Sequence, residues 1–188
     1  MINRLLLIIA VFFTIPIIAS ERDAAVLPDE KQEELVQYQS EEGKFSIGFP
    51  ESWEVIEGVM GRDMVALAPA VDPDDLFLEN VNIIYAKLDA PITEEDYYKF
   101  NMQSLQKLLI DYDLEESSDV QLGGRDARKI VFTHTMGVVN AKVLQYLLLI
   151  DGQAYVLTFT ADPLDFDEYL QQFERIANSF VINSGVTL

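Results

Sequence analysis

Two apolar runs flank Asp151-Gly152, and they constrain the fold of this chain more than any other feature. An Asp-Gly pair tolerates the positive φ angles of a two-residue hairpin turn, so residues 141–150 and 153–160 are predicted to be its two arms. The first arm does not alternate between apolar and polar: Leu147, Leu148, Leu149 and Ile150 run together. A strand that is apolar on both sides belongs in a sheet covered on both faces. The expected class is therefore α+β: an α/β/α sandwich with a central antiparallel sheet of about six to seven strands and flanking helices.

The rest of the chain supplies the other strands and the covering helices. Val36-Gln37-Tyr38-Gln39-Ser40 and Phe45-Ser46-Ile47-Gly48-Phe49 alternate on either side of Glu41-Glu42-Gly43, a hairpin pattern that Pro50 stops. Residues 53–56 and 64–68 form a second pair around Gly58 and Gly61, and residues 81–88 a further strand. Thr93 is expected to cap a helix. Asp96 stands three residues on, and Glu94 and Glu95 suit the positive end of the dipole. Tyr98, Met102, Leu105, Leu109 and Tyr112 are spaced by three and four, the spacing of one buried helical stripe. Residues 114–119 read as polar connection. Residues 120–122 and 128–136 flank the turn at Gly123-Gly124. Asp162 followed by Pro163 marks the start of a last helix, with Phe166, Tyr169, Leu170, Phe173, Ile176 and Ala177 as its core stripe. Residues 180–182 then form a short strand or docked tail.

The first twenty residues speak of compartment. Arg4 precedes an apolar run over residues 5–19, broken only by Thr14, and Ser20 leads into Glu21-Arg22-Asp23. This is the layout of a secretory leader. As a helix the run would reach roughly 22 Å, short of the roughly 30 Å of a bilayer core. Residues 1–20 are thus expected to be a cleaved signal peptide. The alternative is a retained tether, because cutting after Ala19 or Ser20 leaves Ile17 or Ile18 three positions back. Residues 21–34 read as a flexible acidic linker and residues 35–188 as one domain, a length that can bury a core without staples. The chain has no cysteine, so neither a disulfide nor a lipidated cysteine is available. Export without disulfides fits a bacterial envelope protein, periplasmic or secreted.

All 32 acidic residues follow Ser20, against 12 of the 13 Lys and Arg, which leaves a side-chain charge of −20 beyond the leader. Such a surface repels nucleic acid and anionic lipid. The plainer reading is solubility in a dense compartment; the sharper alternative is a partner with a basic surface or divalent cations.

Four motifs carry a family resemblance. Gly43-Lys44-Phe45-Ser46-Ile47-Gly48-Phe49-Pro50-Glu51-Ser52-Trp53 resembles the opening hairpin of PsbP-like domains, where an aromatic strand ends in a Pro-x-x-Trp step. Leu122-Gly123-Gly124-Arg125-Asp126-Ala127 is similar to their central glycine hairpin. Asp151-Gly152-Gln153-Ala154-Tyr155-Val156-Leu157-Thr158-Phe159 is similar to their late strand, and residues 173–180 to their closing helix and Ser-Phe end. The resemblance spans residues 35–182. It implies the α/β/α sandwich shared by PsbP, bacterial DcrB-type envelope proteins and nuclear Mog-type Ran-binding proteins. Plant PsbP proteins help retain calcium and chloride at the oxygen-evolving complex. This chain is too acidic for their basic binding surface, and its leader conflicts with a nuclear partner.

No residue set specifies catalysis. His134 is the sole histidine and shares a strand face with Phe132 and Met136. One histidine without cysteine is a poor zinc set, and a strand-end histidine bonded to a neighbour is the plainer reading. No serine sits in a Gly-x-Ser-x-Gly elbow. Asp72-Pro73-Asp74-Asp75 and the acids of residues 162–168 could offer oxygen to calcium, but neither has the spacing of an EF-hand loop. They read as turn, cap and dipole residues. Gly123-Gly124 lacks the following Lys-Ser/Thr of a phosphate loop, and Trp53 reads as a core anchor. The expected catalytic, cofactor-binding and metal residues are therefore none. The expected function is a non-enzymatic envelope module that binds or helps assemble another protein. Two alternatives are a carrier of a small apolar molecule or lipid between the sheet and the helix near residues 98–109, and a divalent-cation-binding protein.

Overall fold

A computed structural model describes residues 33–40, 44–58, 62–70 and 77–183. The leader, residues 21–32 of the linker, the turn at 41–43, Gly61 and the acidic cluster at 72–75 lie outside the described residues. The chain begins with strands β1 (Leu35–Gln39), β2 (Phe45–Pro50), β3 (Glu54–Glu57), β4 (Met64–Leu67) and β5 (Asn80–Lys87), followed by helix α1 (Glu94–Leu108). Four long strands come next: β6 (Ile110–Leu122), β7 (Arg125–Met136), β8 (Val139–Ile150) and β9 (Gln153–Ala161). Helix α2 (Phe166–Asn178) and strand β10 (Val181–Ile182) complete the fold.

The Asp151-Gly152 hairpin forms with φ angles of 50° and 73°, joining β8 to β9 in register from Ile150↔Gln153 outward. These strands lie inside a seven-stranded antiparallel sheet of order β3-β4-β5-β9-β8-β7-β6. The unbroken apolar run of β8 is divided by the pleat. Leu144, Tyr146 and Leu148 enter one core cluster, while Val143, Leu147 and Leu149 enter another. Helix α1 covers the second face. The first is covered by α2 and by a separate three-stranded sheet, β1-β2-β10. The expected α+β sandwich is thus present, and its opening hairpin forms part of the covering layer instead of the central sheet.

Aromatic rings fill the α2 side. Phe173 is fully buried, with ring centroids of Phe159 at 5.3 Å, Tyr169 at 5.8 Å, Phe166 at 6.2 Å and Trp53 at 6.4 Å. Trp53 is the core anchor that its place after Pro50 predicts. The Ser-Phe end of α2 clamps the small sheet. Gly48 N donates to Ser179 Oγ at 2.7 Å, and the Phe180 ring lies 5.5 Å from Phe45.

Three sequence expectations need correction. Residues 114–119 are not a connection but the middle of β6, which runs as an edge strand of 13 residues. Their polarity reflects that position, since an edge strand meets solvent along its length. Tyr112 belongs to β6 and not to the helix, because α1 stops at Leu108 with Leu109 as its C-cap; both residues still pack on the α1-side core. Lastly, α2 begins at Phe166, not Pro163. The Asp162 carboxylate accepts from Leu164 N at 2.8 Å and closes a turn first. The Thr93 cap is as expected, its Oγ1 accepting from Asp96 N at 3.1 Å.

Candidate functional site

Among the described residues, a groove lies where α1 turns into β6. Lys99, Met102, Gln103 and Gln106 are three and four residues apart, which puts them on one flank of α1. That flank faces Tyr112 and Leu114 of β6 across a groove of about 350 Å³, with Asp113 at its rim. Its place and lining distinguish it from the pocket expected of an apolar carrier. The helix–sheet interface itself is filled by Tyr97, Leu105, Ile130, Phe132 and Leu147. The groove is open to solvent, and Lys99, Gln103, Gln106 and Asp113 make its wall mixed in character.

Leu114, on the wall of the groove, is 40% exposed, and Leu108 and Ile110, where α1 ends and β6 begins, are 50% and 63% exposed. The Tyr112 ring packs 5.2 Å from Phe132, and its hydroxyl is buried with no hydrogen-bond partner among the described residues. Burial, with the charge of Asp113 adding to it, pushes the phenol up to about 12. It therefore stays neutral, its O–H held in the buried layer beside Phe132. Tyr98 is likewise raised to about 12, chiefly by burial; the Arg128 guanidinium, 5.4 Å from its ring, opposes the rise.

Electrostatics along β6 are one-sided. Asp111, Asp113, Glu115, Glu116 and Asp119 are all exposed, and the strand has no base. Glu115 pairs with Lys142 at 2.9 Å, Glu116 with Lys129 at 3.7 Å and Asp119 with Arg128 at 2.9 Å. Exposed pairs of this kind contribute little to stability, about 0–1 kcal/mol each.

His134 lies elsewhere on the α1-side face, near the end of β7 and opposite Ala141. It is 3% exposed, its ring centroid is 6.0 Å from that of Phe132, and Nδ1 donates to Thr135 O at 3.3 Å. Burial lowers its pKa from 6.5, and the bond to Thr135 opposes this. Because the folded value is the lower one, protonation favours unfolding. Stability is expected to be full above about pH 6.5 and to fall as the pH drops from there toward the folded pKa. Urea midpoints of the protein and of His134→Asn, followed from pH 7.5 to 5, check this. The variant should lose that part of the slope, and identical slopes would show that His134 contributes none.

Among the described residues no three His, Asp or Glu side chains gather in a way that would hold a metal ion. Asp162 closes its turn, while Asp167 and Glu168 occupy the first turn of α2, where the dipole favours them. The sequence reading missed the groove, yet a signal was there. Ile110, Tyr112 and Leu114 alternate with acids at strand period, and the helical spacing of 105, 109 and 112 concealed it.

No protein-family model matches the chain, and no curated protein matches its sequence. Solved structures do match its fold. LpqN of Mycobacterium tuberculosis, described as involved in cell envelope biogenesis, superposes with a TM-score of 0.63 at 17% identity, over 80% of this chain and 91% of LpqN. The cyanobacterial PsbP of Synechocystis, CyanoP, gives 0.60 at 15% identity, over 79% and 92%. The Ran-binding protein Mog1p of Saccharomyces cerevisiae gives 0.56 at 9% identity, over 80% and 96%. The chain has the PsbP/Mog-type fold. At these identities the likeness is one of fold, and function rests on the site. Among the described residues no helix is long and apolar enough to cross a membrane.

Proposed function

We propose that this chain is a non-enzymatic, exported module that binds or helps assemble another protein of the cell envelope. The observation that carries this reading is the α1–β6 groove, with exposed Leu114 on its wall and exposed Leu108 and Ile110 in the adjoining turn from α1 into β6. Clustered apolar side chains at a mixed groove mark a site of protein contact more often than a site of chemistry. The secretory layout of residues 1–20 supports the compartment. The fold shared with LpqN, described as an envelope-biogenesis protein, agrees with it. The net charge of −19 favours a partner with a basic face.

The test is capture of partners from envelope extract by the purified protein and by Leu114→Lys, at low and high salt. A partner held by the unmodified protein, lost in the variant and weakened by salt is the expected result. Capture that is equal with both proteins would place binding elsewhere. Capture of nothing at any salt would overturn the reading.

A further inference from the structure

Strand β6 ends the seven-stranded sheet, so its backbone pairs with β7 on one side only. The other row of N–H and C=O groups meets no described strand. The opposite edge, β3, has only four residues, and short edges give little purchase to another chain. Two register shifts interrupt β6, between Ile110 and Asp113 and between Leu114 and Glu116. Bulges of this kind often end pairing at an edge. Beyond them the register runs unbroken from Glu116↔Val131 to Leu122↔Arg125. That stretch is seven residues long, enough for an ordinary strand. The groove opens at residues 112–114, where this regular stretch gives way to the bulges.

We infer that β6 receives an extended peptide segment as an added strand, paired along residues 116–122 and placing a side chain in the α1–β6 groove. The occupant is a segment of a partner protein in which basic and apolar residues alternate. This rests on the partner-binding reading above and supplies its mode. Charge selects the occupant. The net charge of −19 opposes a second copy at this edge. Of the five acids on β6, Glu115, Glu116 and Asp119 are held by Lys142, Lys129 and Arg128, whereas Asp113, on the wall of the groove, has no ion pair among the described residues. A basic segment meets Asp113 with favourable sign where one of its side chains enters the groove, while main-chain bonds hold it along residues 116–122.

The test uses synthetic peptides of about eight residues, within the ordinary range of strand length. One alternates lysine and valine and a second alternates glutamate and valine. Two more repeat the lysine–valine sequence with N-methyl groups on the amides of one edge or of the other. Binding to the purified protein is read by calorimetry, and protection of residues 116–122 by amide exchange. The lysine–valine peptide should bind, protect these amides and weaken as salt rises. N-methylation of one edge should weaken it about tenfold or more through lost main-chain bonds, and methylation of the other edge should change little. Equal binding by both methylated peptides would leave charge attraction alone and overturn strand addition. Equal binding by the glutamate peptide would overturn the choice of a basic occupant, as would a dimer of the protein that the lysine peptide disperses. Absence of binding by the lysine peptide would overturn the inference outright. Partner capture and its loss in Leu114→Lys report separately on the broader reading.

Discussion

Phe173→Ala is expected to lower the unfolding free energy by about 3–5 kcal/mol, the range for truncating a fully buried aromatic. The high end of that range is favoured by its neighbours. The Phe173 ring touches Phe159 from the sheet, Phe166 and Tyr169 from its own helix, and Trp53 from the step after Pro50. Three chain segments would have to collapse together to close the cavity, and rigid aromatic rings fill gaps poorly. A domain of this size has about 5–15 kcal/mol in all, so the variant could be largely unfolded at 37 °C. Phe173→Leu keeps more of the volume and should lose less, which keeps the series measurable. Leu164→Ala is the control: Leu164 is 90% exposed and should change stability by no more than about 0.5 kcal/mol. Urea titrations read all three, with an unchanged m value as the check that only stability moved. A loss below about 1 kcal/mol for Phe173→Ala would show that the α2 layer repacks freely, contrary to the ring geometry.

The strands were legible in the sequence wherever pattern and burial coincide. Asp151-Gly152 announces its hairpin because the turn needs positive φ at both positions and the flanking residues are apolar enough to be central. The α2 stripe was legible for a related reason. Phe166, Phe173, Ile176 and Ala177 are buried on one side, and acids occupy the first turn. Strand β6 was legible only at its end, residues 120–122, because the stability of the rest comes from pairing with β7 and not from apolar content. Nothing in Glu116-Ser117-Ser118-Asp119 reports the register that sets them beside residues 128–131. The candidate site inherits that difficulty. It is built from the flank of a helix and the rim of an edge strand, positions where burial writes little into composition. The assignment of the opening hairpin to its own small sheet was equally hidden. Local alternation fixes that β1 and β2 pair, and only the packing of Phe45 against Tyr155 and Phe180 fixes where.

Gly123→Ala tests how that packing is joined across the molecule. Gly123 and Gly124 make the tight turn between β6 and β7, with φ of 57° and 73°. Alanine at either position enters the left-handed region, at about 1–2 kcal/mol. Their surroundings differ. A Cβ on Gly123 would lie 2.7 Å from the carbonyl oxygen of Phe180, whereas one on Gly124 meets nothing within 4 Å. The obstructing atom is backbone, so no side-chain rotation relieves it. Either the turn or the chain between α2 and β10 must shift. Phe180 is fully buried between Phe45, at 5.5 Å, and Tyr155, at 5.9 Å, which resists movement on its side. Overpacking of this kind adds about 1–3 kcal/mol. Gly123→Ala is therefore expected to destabilise by about 2–5 kcal/mol, and Gly124→Ala by the conformational part alone. Amide exchange should separate the two variants further. In Gly123→Ala the β10–β2 ladder at Val181↔Ser46 and Ile182↔Phe45 should open more readily, although it is remote in sequence from the turn. In Gly124→Ala it should stay protected once global stability is matched. Equal losses in the two variants would mean that the Phe180 carbonyl yields to the extra methyl, and that the glycine turn and the closing segment are not mechanically linked.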